Sequence, residues 1–185
     1  MDLELHIEEL ETERRWNRLE EFRGDGVLGR FLAYRDDNTF VWLGTVEDRQ
    51  SCLSGQARLP VLHVKRDTVV HLRGEGAHLD RLAESPLIEL RQYRLVPGVR
   101  RRFADFLRER AIPENERLGM PIHGPFDSLD DENVLVWFRG FPDLQERDRR
   151  KAQFYQGKLW LDELEAIAMP MIEDYRNVLL LTPAR

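Results

Sequence analysis

Two short segments in the second half of the chain carry side chains that could bind or transform a small molecule. In the segment IELRQYRL, Arg91 and Tyr93 are two positions apart, and in VLVWFRGF, Trp137 and Arg139 have the same spacing. Side chains two positions apart lie on the same face of a β-strand. A guanidinium group can hold a carboxylate or an enolate, and a phenol can donate a proton. We therefore interpret Arg91 and Tyr93 as candidate catalytic residues, and Trp137 and Arg139 as candidate ligand-binding residues.

Other residues extend this candidate site. Glu89 shares the strand face of Arg91, where it would either contact a ligand or pair with a neighbouring charge across the strands. His123 is a candidate general base because histidine titrates near neutrality; a histidine held in a loop or by a hydrogen bond is the alternative. In the first half, Trp42 and Tyr34 would either contact the ligand or pack in the core.

The histidine and cysteine content does not indicate a metal site. The five histidines are scattered and none has H-x-x-x-H spacing, and the single cysteine, Cys52, cannot complete a zinc motif or an intrachain disulfide. The sequence has no glycine-rich phosphate loop and no Ser-His-Asp order. We predict no metal and no tightly bound cofactor, and we keep haem held by one histidine as an alternative.

The composition restricts the partners and the location of the protein. Its 185 residues carry a formal net charge of −6, and this acidic balance argues against nucleic acid as the main partner. The basic cluster at residues 100–102 is interpreted as a solvated helix face. The N-terminus lacks the apolar region of a signal peptide, and no stretch is long and apolar enough for a membrane span. One cysteine is consistent with a reducing environment, so we predict a cytoplasmic protein.

The chain contains an internal repeat. Residues 31–48 (FLAYRDDNTFVWLGTVED) align without a gap with residues 126–143 (FDSLDDENVLVWFRGFPD) at a constant offset of 95 positions. The identical pairs are Phe31/Phe126, Asp36/Asp131, Asn38/Asn133, Val41/Val136, Trp42/Trp137 and Asp48/Asp143. Each copy reads as a β-hairpin, because Asp and Asn favour tight turns between two apolar segments. We interpret the match as a duplication.

The elements around each hairpin follow the same order. In the second half we predict a strand at 88–95, a helix at 99–111 ended by Pro113, the hairpin, a helical region at 144–173 broken at Gly157 and Pro170, and a last strand at 177–182. This β-α-β-β-α-β order is ferredoxin-like. The first half is an abbreviated version, with a strand at 3–7, a helix at 11–22, the hairpin and a strand at 68–73. The predicted organisation is an α+β tandem: an N-terminal half-repeat at 1–76, a linker at 77–87 and a C-terminal half-repeat at 88–185.

Residues 88–183 resemble the NIPSNAP family, which is part of the dimeric α/β-barrel superfamily. The resemblance is carried by ELRQYRLVPG (89–98), by Gly124-Pro125-Phe126, by Asn133 with VWFRGF (136–141), and by Arg147, Arg150, Phe154-Tyr155, Trp160 and the terminal NVLLLTP. It implies ferredoxin-like units that pair sheet to sheet into a barrel, usually in a homodimer. In this chain the duplication would supply both halves, giving either a monomeric pseudo-dimer or a further homodimer.

This architecture places the candidate residues. One sheet face would pack on helices and the other would line the barrel. We expect the charged and aromatic face to be the interior, giving a pocket lined by Arg91, Tyr93, Trp137 and Arg139 with Trp42 and Tyr34 from the first half. The apolar face that includes Val134, Val136 and Phe138 would then contact helices.

Three functions follow as hypotheses. The superfamily includes monooxygenases, isomerases, cyclases and haem proteins, so the resemblance implies a fold without selecting a reaction. The first hypothesis is an enzyme that binds an apolar or aromatic anionic small molecule in the barrel and catalyses an isomerisation, cyclisation or oxygenation. The second is a non-catalytic protein-interaction module, which a solidly packed barrel would favour. The third is a haem-binding barrel.

Overall fold

Eight β-strands form the framework of the molecule. The computed structural model describes residues 2–11, 27–36, 38–45, 64–74 and 79–184. The strands are β1 (Asp2–Leu10), β2 (Val27–Ala33), β3 (Thr39–Thr45), β4 (Val64–Arg73), β5 (Leu87–Leu95), β6 (Ile122–Ser128), β7 (Val134–Phe141) and β8 (Ile172–Pro183). Each predicted strand is present, and β1, β4 and β8 are longer than their predicted ranges. The predicted helix at 11–22 lies, apart from its first residue, outside the described residues.

The strands close into an antiparallel barrel in the order β1-β3-β2-β8-β5-β7-β6-β4. This confirms the predicted α+β class and the barrel. Within β1–β4, the first strand lies between the third and the fourth, and the second strand pairs with the third. The strands β5–β8 have the same relative order. That order is the one expected for ferredoxin-like units; the duplication inferred from the sequence stays a prediction.

Two seams join the two sets of four strands. At one seam β2 pairs with β8 through three registered residue pairs, Phe31↔Pro183, Leu32↔Thr182 and Ala33↔Leu181. At the other seam β4 pairs with β6 through two, Leu72↔Ser128 and Arg73↔Asp127. Further backbone hydrogen bonds extend both seams, including Tyr34 N–H to Leu180 O at 2.7 Å and Leu129 N–H to His71 O at 2.8 Å.

The barrel interior is filled by apolar side chains from all eight strands. The members of this interior cluster include Leu3, Leu5, Phe31, Ala33, Val41, Leu43, Val70, Leu72, Ile88, Leu90, Phe126, Val136, Phe138, Leu179 and Leu181. Leu79 and Leu82, from a 3₁₀ turn (Leu79–Glu84) in the predicted linker, also pack against it. An eight-stranded barrel is just wide enough for side chains to fill, so this interior is a core.

The predicted orientation of β5 and β7 is therefore wrong. Val136 and Phe138 point into the barrel, whereas Trp137 packs on the outer face in a second cluster with helical residues such as Phe103. The physical reason is that a narrow closed barrel accepts compact apolar side chains. Buried arginines need hydrogen-bond partners, and on the outer face Glu89 of β5 and Asn115 of the covering helices provide them.

The helices of the second half cover this outer face. They comprise α1 (Arg100–Phe106), a π-helical turn (Leu107–Ala111), α2 (Ile112–Arg117), α3 (Leu144–Tyr155), a second π-helical turn (Trp160–Leu164), α4 (Glu165–Ala168) and a 3₁₀ turn (Met169–Met171). Asp143 caps α3 by accepting a hydrogen bond from Glu146 N–H at 2.8 Å. None of the described helices is long and apolar enough to cross a membrane.

The prediction that Pro113 ends the first helix is wrong. The helical backbone continues through the π-helical turn and α2 to Arg117. Pro113 lies in the first turn of α2, directly after the π-helical turn. The predicted break at Gly157 is confirmed, because α3 ends at Tyr155.

Candidate functional site

A cavity of about 470 Å³ lies between the outer face of the second-half sheet and its helices. Its sheet side includes Arg91, Tyr93, Trp137 and Arg139, so the structure brings together the four residues singled out in β5 and β7. Its helix side includes Phe103, Phe106, Leu107, Ala111, Ile112, Asn115, Lys151, Phe154, Tyr155, Trp160, Glu165 and Ala168. The cavity is outside the barrel, which corrects its predicted position.

Glu89 organises the charges beneath the cavity. Its side chain is fully buried, and Arg91 and Arg139 lie on its own sheet face, because Glu89 is the cross-strand partner of Arg139. Arg91 Nη1 donates to Glu89 Oε2 at 2.8 Å, and Arg139 Nη2 donates to the same oxygen at 2.8 Å. From α3, Arg147 Nε and Lys151 Nζ donate to Glu89 Oε1 at 2.6 and 2.9 Å. One carboxylate thus fixes four cationic side chains.

These cations determine the ionisation of Glu89. Burial by itself would raise the pKa of this carboxyl, but Arg139, Arg91 and Lys151 outweigh it and hold the pKa well below its usual range. Glu89 is therefore ionised at neutral pH. With four cationic contacts and one carboxylate, the base of the cavity has an excess of positive charge.

Two buried donors at the cavity remain without a partner. Arg91 Nε and Trp137 Nε1 have no hydrogen-bond partner among the described residues, and the two residues are only 6% and 4% exposed. Arg91 and Trp137 are cross-strand partners, and Arg91 Cζ lies 5.3 Å from the centre of the indole ring. A buried unpaired N–H is costly, so an acceptor that reached either group would stabilise it.

Asn115 connects Arg139 to the helices. Its Oδ1 accepts from Arg139 Nη1 at 3.1 Å, and its Nδ2 donates to Ala111 O, in the π-helical turn, at 2.7 Å. Asn115 is 3% exposed, so both bonds are shielded from water. The guanidinium plane of Arg139 is therefore oriented by Glu89 on one side and by Asn115 on the other.

Two tyrosines of the cavity have oppositely shifted pKa values. Burial is the largest effect on Tyr93 and raises the pKa of its phenol. Burial would also raise the pKa of Tyr155, but the guanidinium groups of Arg139 and Arg91 outweigh it and lower this pKa. Arg139 Cζ lies 5.8 Å from the Tyr155 ring centre, and Arg91 Cζ lies 5.2 Å from that of Tyr93. The field of the arginines thus acts unequally on the two phenols.

The other predicted site residues lie elsewhere. Trp42 stacks on His6 with ring centres 3.8 Å apart and donates to Glu8 Oε1 at 3.1 Å, on the outer face of the first-half strands. Tyr34 packs at the edge of the second-half cluster but does not line the cavity. His123 is opposite Phe138 in the sheet, so it faces the barrel side. The cavity that contains Arg91 is therefore not lined by Trp42, Tyr34 or His123.

The sequence interpretation missed the helical half of the site. Arg147, Lys151 and Tyr155 follow one another at intervals of four residues along α3, a spacing that puts them on one helix face. A stripe of two cations and a phenol facing a strand with Glu89 could have been found from the sequence. Asn115 gave no such signal, since its role depends on the helix continuing past Pro113.

The corresponding face of the first half has a different chemistry. His6 is the cross-strand partner of Trp42, as Arg91 is of Trp137. Single ligand atoms of His6, Glu8 and Asp67 lie within 4.8 Å of one another, which is a spacing that could hold a metal ion. His6 Nδ1 is already 2.8 Å from Asp67 Oδ2, and Glu8 accepts from Trp42. Contacts within the protein therefore account for these groups.

Two solved structures that match nearly the whole chain have a similar fold. The NIPSNAP family model matches residues 88–184. A proposed monooxygenase from Fusobacterium nucleatum is 12% identical, with a TM-score of 0.68 over 100% of this chain and 92% of that chain. A proposed monooxygenase from Lactobacillus acidophilus is 10% identical, with a TM-score of 0.66 over 98% of this chain and 93% of that chain. A NIPSNAP family protein of unknown function from Agrobacterium tumefaciens is 28% identical, with a TM-score of 0.47 over 54% of this chain and 88% of that chain. No curated protein matches this chain.

Proposed function

This chain belongs to the NIPSNAP family, and we propose that it binds a small organic anion with an apolar or aromatic body in the cavity beneath its C-terminal helices. The observation that carries this proposal is the excess of cations around Glu89, directly below a cavity with aromatic walls. A mostly apolar cavity with a few convergent polar groups is the usual form of a small-molecule site.

The two ends of the cavity suit the two parts of such a ligand. Arg91 Nε and Trp137 Nε1 offer hydrogen bonds to an anionic oxygen at the sheet side. Phe103, Phe106 and Leu107 offer an apolar surface at the helix side. Burial of Arg91 and Arg139 strengthens the contact of a guanidinium group with a carboxylate.

The alternatives from the sequence have less support. The described histidines His6, His71 and His123 are not among the residues that line the cavity, so this cavity offers no described histidine to a haem. The packed barrel interior does not by itself favour a protein-interaction module, because the cavity lies outside it. The monooxygenase names belong to structural neighbours about 10% identical, and these neighbours support the fold alone.

We test the binding by tryptophan fluorescence, since Trp137 and Trp160 line the cavity. The probes are phenylpyruvate and benzoate, with benzyl alcohol as the neutral comparison. We expect saturable quenching by the two anions, and Arg91→Met should weaken it by about 10- to 100-fold through loss of a charged hydrogen-bond donor.

Arg94→Met is the matched control, because Arg94 is exposed on the same strand and pairs with Asp131 at 2.9 Å. It should bind the anions as the unchanged protein does. Equal affinity of Arg91→Met and the unchanged protein would reject the proposed site.

We also propose that duplication produced the two sets of four strands and that the protein is a cytoplasmic monomer, a pseudo-dimer within one chain. The gapless alignment at an offset of 95 and the equal strand orders support the duplication. The filled barrel supports the monomer, since one chain covers its own interior sheet faces.

A further inference from the structure

Two phenols and two guanidinium groups meet at the cavity. Tyr93 enters from β5 and Tyr155 from α3, and both line the cavity with Arg91 and Arg139. Each phenol ring centre lies within 6 Å of a guanidinium carbon, at 5.2 Å for Tyr93 with Arg91 and 5.8 Å for Tyr155 with Arg139. Each phenol therefore lies beside a cationic group at the cavity.

Resting on the proposed binding of an organic anion, we propose that the cavity catalyses proton transfer on an enolisable aromatic acid, with Tyr155 as its general base. The acid class is a 2-oxo acid, in which a carboxylate, a carbonyl and an acidic C–H are adjacent. Its oxygens would face Arg91 and Trp137, and its ring would contact the apolar helix side.

Tyr155 is the cavity group best suited to accept a proton. The guanidinium groups of Arg139 and Arg91 stabilise its phenolate, whereas Tyr93 keeps its proton at neutral pH because burial raises its pKa. Lys151 Nζ already donates to Glu89, and Glu165 is exposed. Environments that shift the pKa values of two titratable groups in opposite directions are typical of an acid–base site.

The step is balanced within the protein and its substrate. The Tyr155 phenolate removes a proton from the carbon next to the carbonyl, so a C–H bond breaks and an O–H bond forms. The C–H electron pair becomes a C=C bond, and the carbonyl π pair moves to oxygen. Arg91 Nε–H and Trp137 Nε1–H stabilise that enolate oxygen, and the Tyr93 hydroxyl donates a hydrogen bond to the same oxygen. Return of the proton from Tyr155 gives either the starting acid or its tautomer.

The experiment is hydrogen exchange of phenylpyruvate in D₂O, followed by ¹H NMR of its benzylic C–H signal, together with fluorescence binding of the same compound. We expect the protein to accelerate the exchange. Tyr155→Phe should bind phenylpyruvate with nearly unchanged affinity and lose about 10²- to 10⁴-fold in exchange rate. The exchange rate of the unchanged protein should rise with pH as Tyr155 loses its proton.

A second readout separates catalysis from structure. In a spectrophotometric pH titration of tyrosinate, the unchanged protein should show one tyrosine ionising before the others, and Tyr155→Phe should lack that phase. Tyr34→Phe, outside the cavity, should retain both the phase and the exchange.

The outcomes distinguish the two proposals. Binding of phenylpyruvate without accelerated exchange would overturn the catalytic role and leave the binding site in place. Full exchange activity in Tyr155→Phe would also overturn the role of Tyr155. Failure of the unchanged protein to bind phenylpyruvate and benzoate would reject the binding proposal and the catalytic one with it.

Discussion

Glu89 is the residue on which the charge arrangement of the cavity depends. It contacts Arg91, Arg139, Arg147 and Lys151, and its side chain is fully buried. Removing one partner of a buried ion cluster leaves the other charges uncompensated. The carboxylate therefore has a structural role; the sequence interpretation had offered such pairing with a neighbouring charge as the alternative to a ligand contact.

The first prediction concerns Glu89→Gln. Because four cations would lose their counter-charge in a shielded site, we expect the free energy of unfolding to fall by about 3–5 kcal/mol. Urea denaturation followed by circular dichroism measures this change. Glu84→Gln, at an exposed position in the 3₁₀ turn, is the control and should change stability by less than about 0.5 kcal/mol. A loss no larger than that of the control would contradict the role of Glu89.

The pH dependence of stability follows from the same carboxylate. The pKa of Glu89 is lower in the folded protein than in the unfolded chain. The carboxylate therefore contributes fully to the free energy of unfolding at pH values above the unfolded pKa of about 4.5. It is lost as the pH falls from there towards the folded value. The free energies of unfolding of the unchanged protein and of Glu89→Gln should therefore approach each other as the pH falls from about 7 to about 3. Denaturation curves at a series of pH values measure this. A difference in the free energy of unfolding that stays constant over this pH range would contradict the lowered pKa of Glu89.

At the scale of elements, β7 packs closely against the segments that lead into β5 and β6. A Cβ atom on Gly140 would overlap Ser85 Oγ and lie 2.9 Å from Ser85 Cβ and 3.0 Å from Pro121 Cγ. Gly140 N–H also donates to Pro121 O at 2.9 Å. A small residue is therefore required here for the strand to keep its register beside Arg139.

We predict that Gly140→Ala destabilises the protein by about 1–3 kcal/mol through overpacking. Thermal unfolding measures the loss. Adding Ser85→Gly should recover part of it, since this change removes two of the three close atoms. If the double variant is no more stable than the sum of the single changes, contact with Ser85 is not the cause.

The strands and their alternation could be predicted from the sequence, but the direction of each face could not. Alternation puts Trp137 and Arg139 on one face and Val136 and Phe138 on the other, which the structure confirms. Which face is interior depends on the width of the closed barrel and on the partners that helices offer to arginines. Asn115 accepts from Arg139, and Lys151 donates to Glu89, which itself accepts from the arginines; both helical residues are distant in sequence. Local patterns carry no information about this closure.

At the scale of the whole molecule, each set of four strands covers the apolar face of the other. Ile88, Leu90 and Phe138 from the second half meet Leu5 and Val41 from the first in one cluster. Without the first half, these side chains would be exposed to water. Burying them is worth about 25 cal/mol per Å² of apolar surface.

We therefore predict that residues 77–185, produced alone, form a homodimer in which a second copy replaces the first half. Native mass spectrometry and size-exclusion chromatography determine the oligomeric state of this fragment, with the full chain as the reference. Leu90→Glu should prevent the dimer, because it puts a charge into the shared interior. A folded monomeric fragment would contradict the requirement for a covering sheet.

Barrel closure also limits how this protein can associate with others. Every described strand has a neighbour on both sides, so strand addition by an extended peptide is restricted to the parts of the two seams that lie outside the registered pairs. Association through side chains on helices and loops remains open, whereas extensive edge-to-edge growth into fibres requires the seams to open.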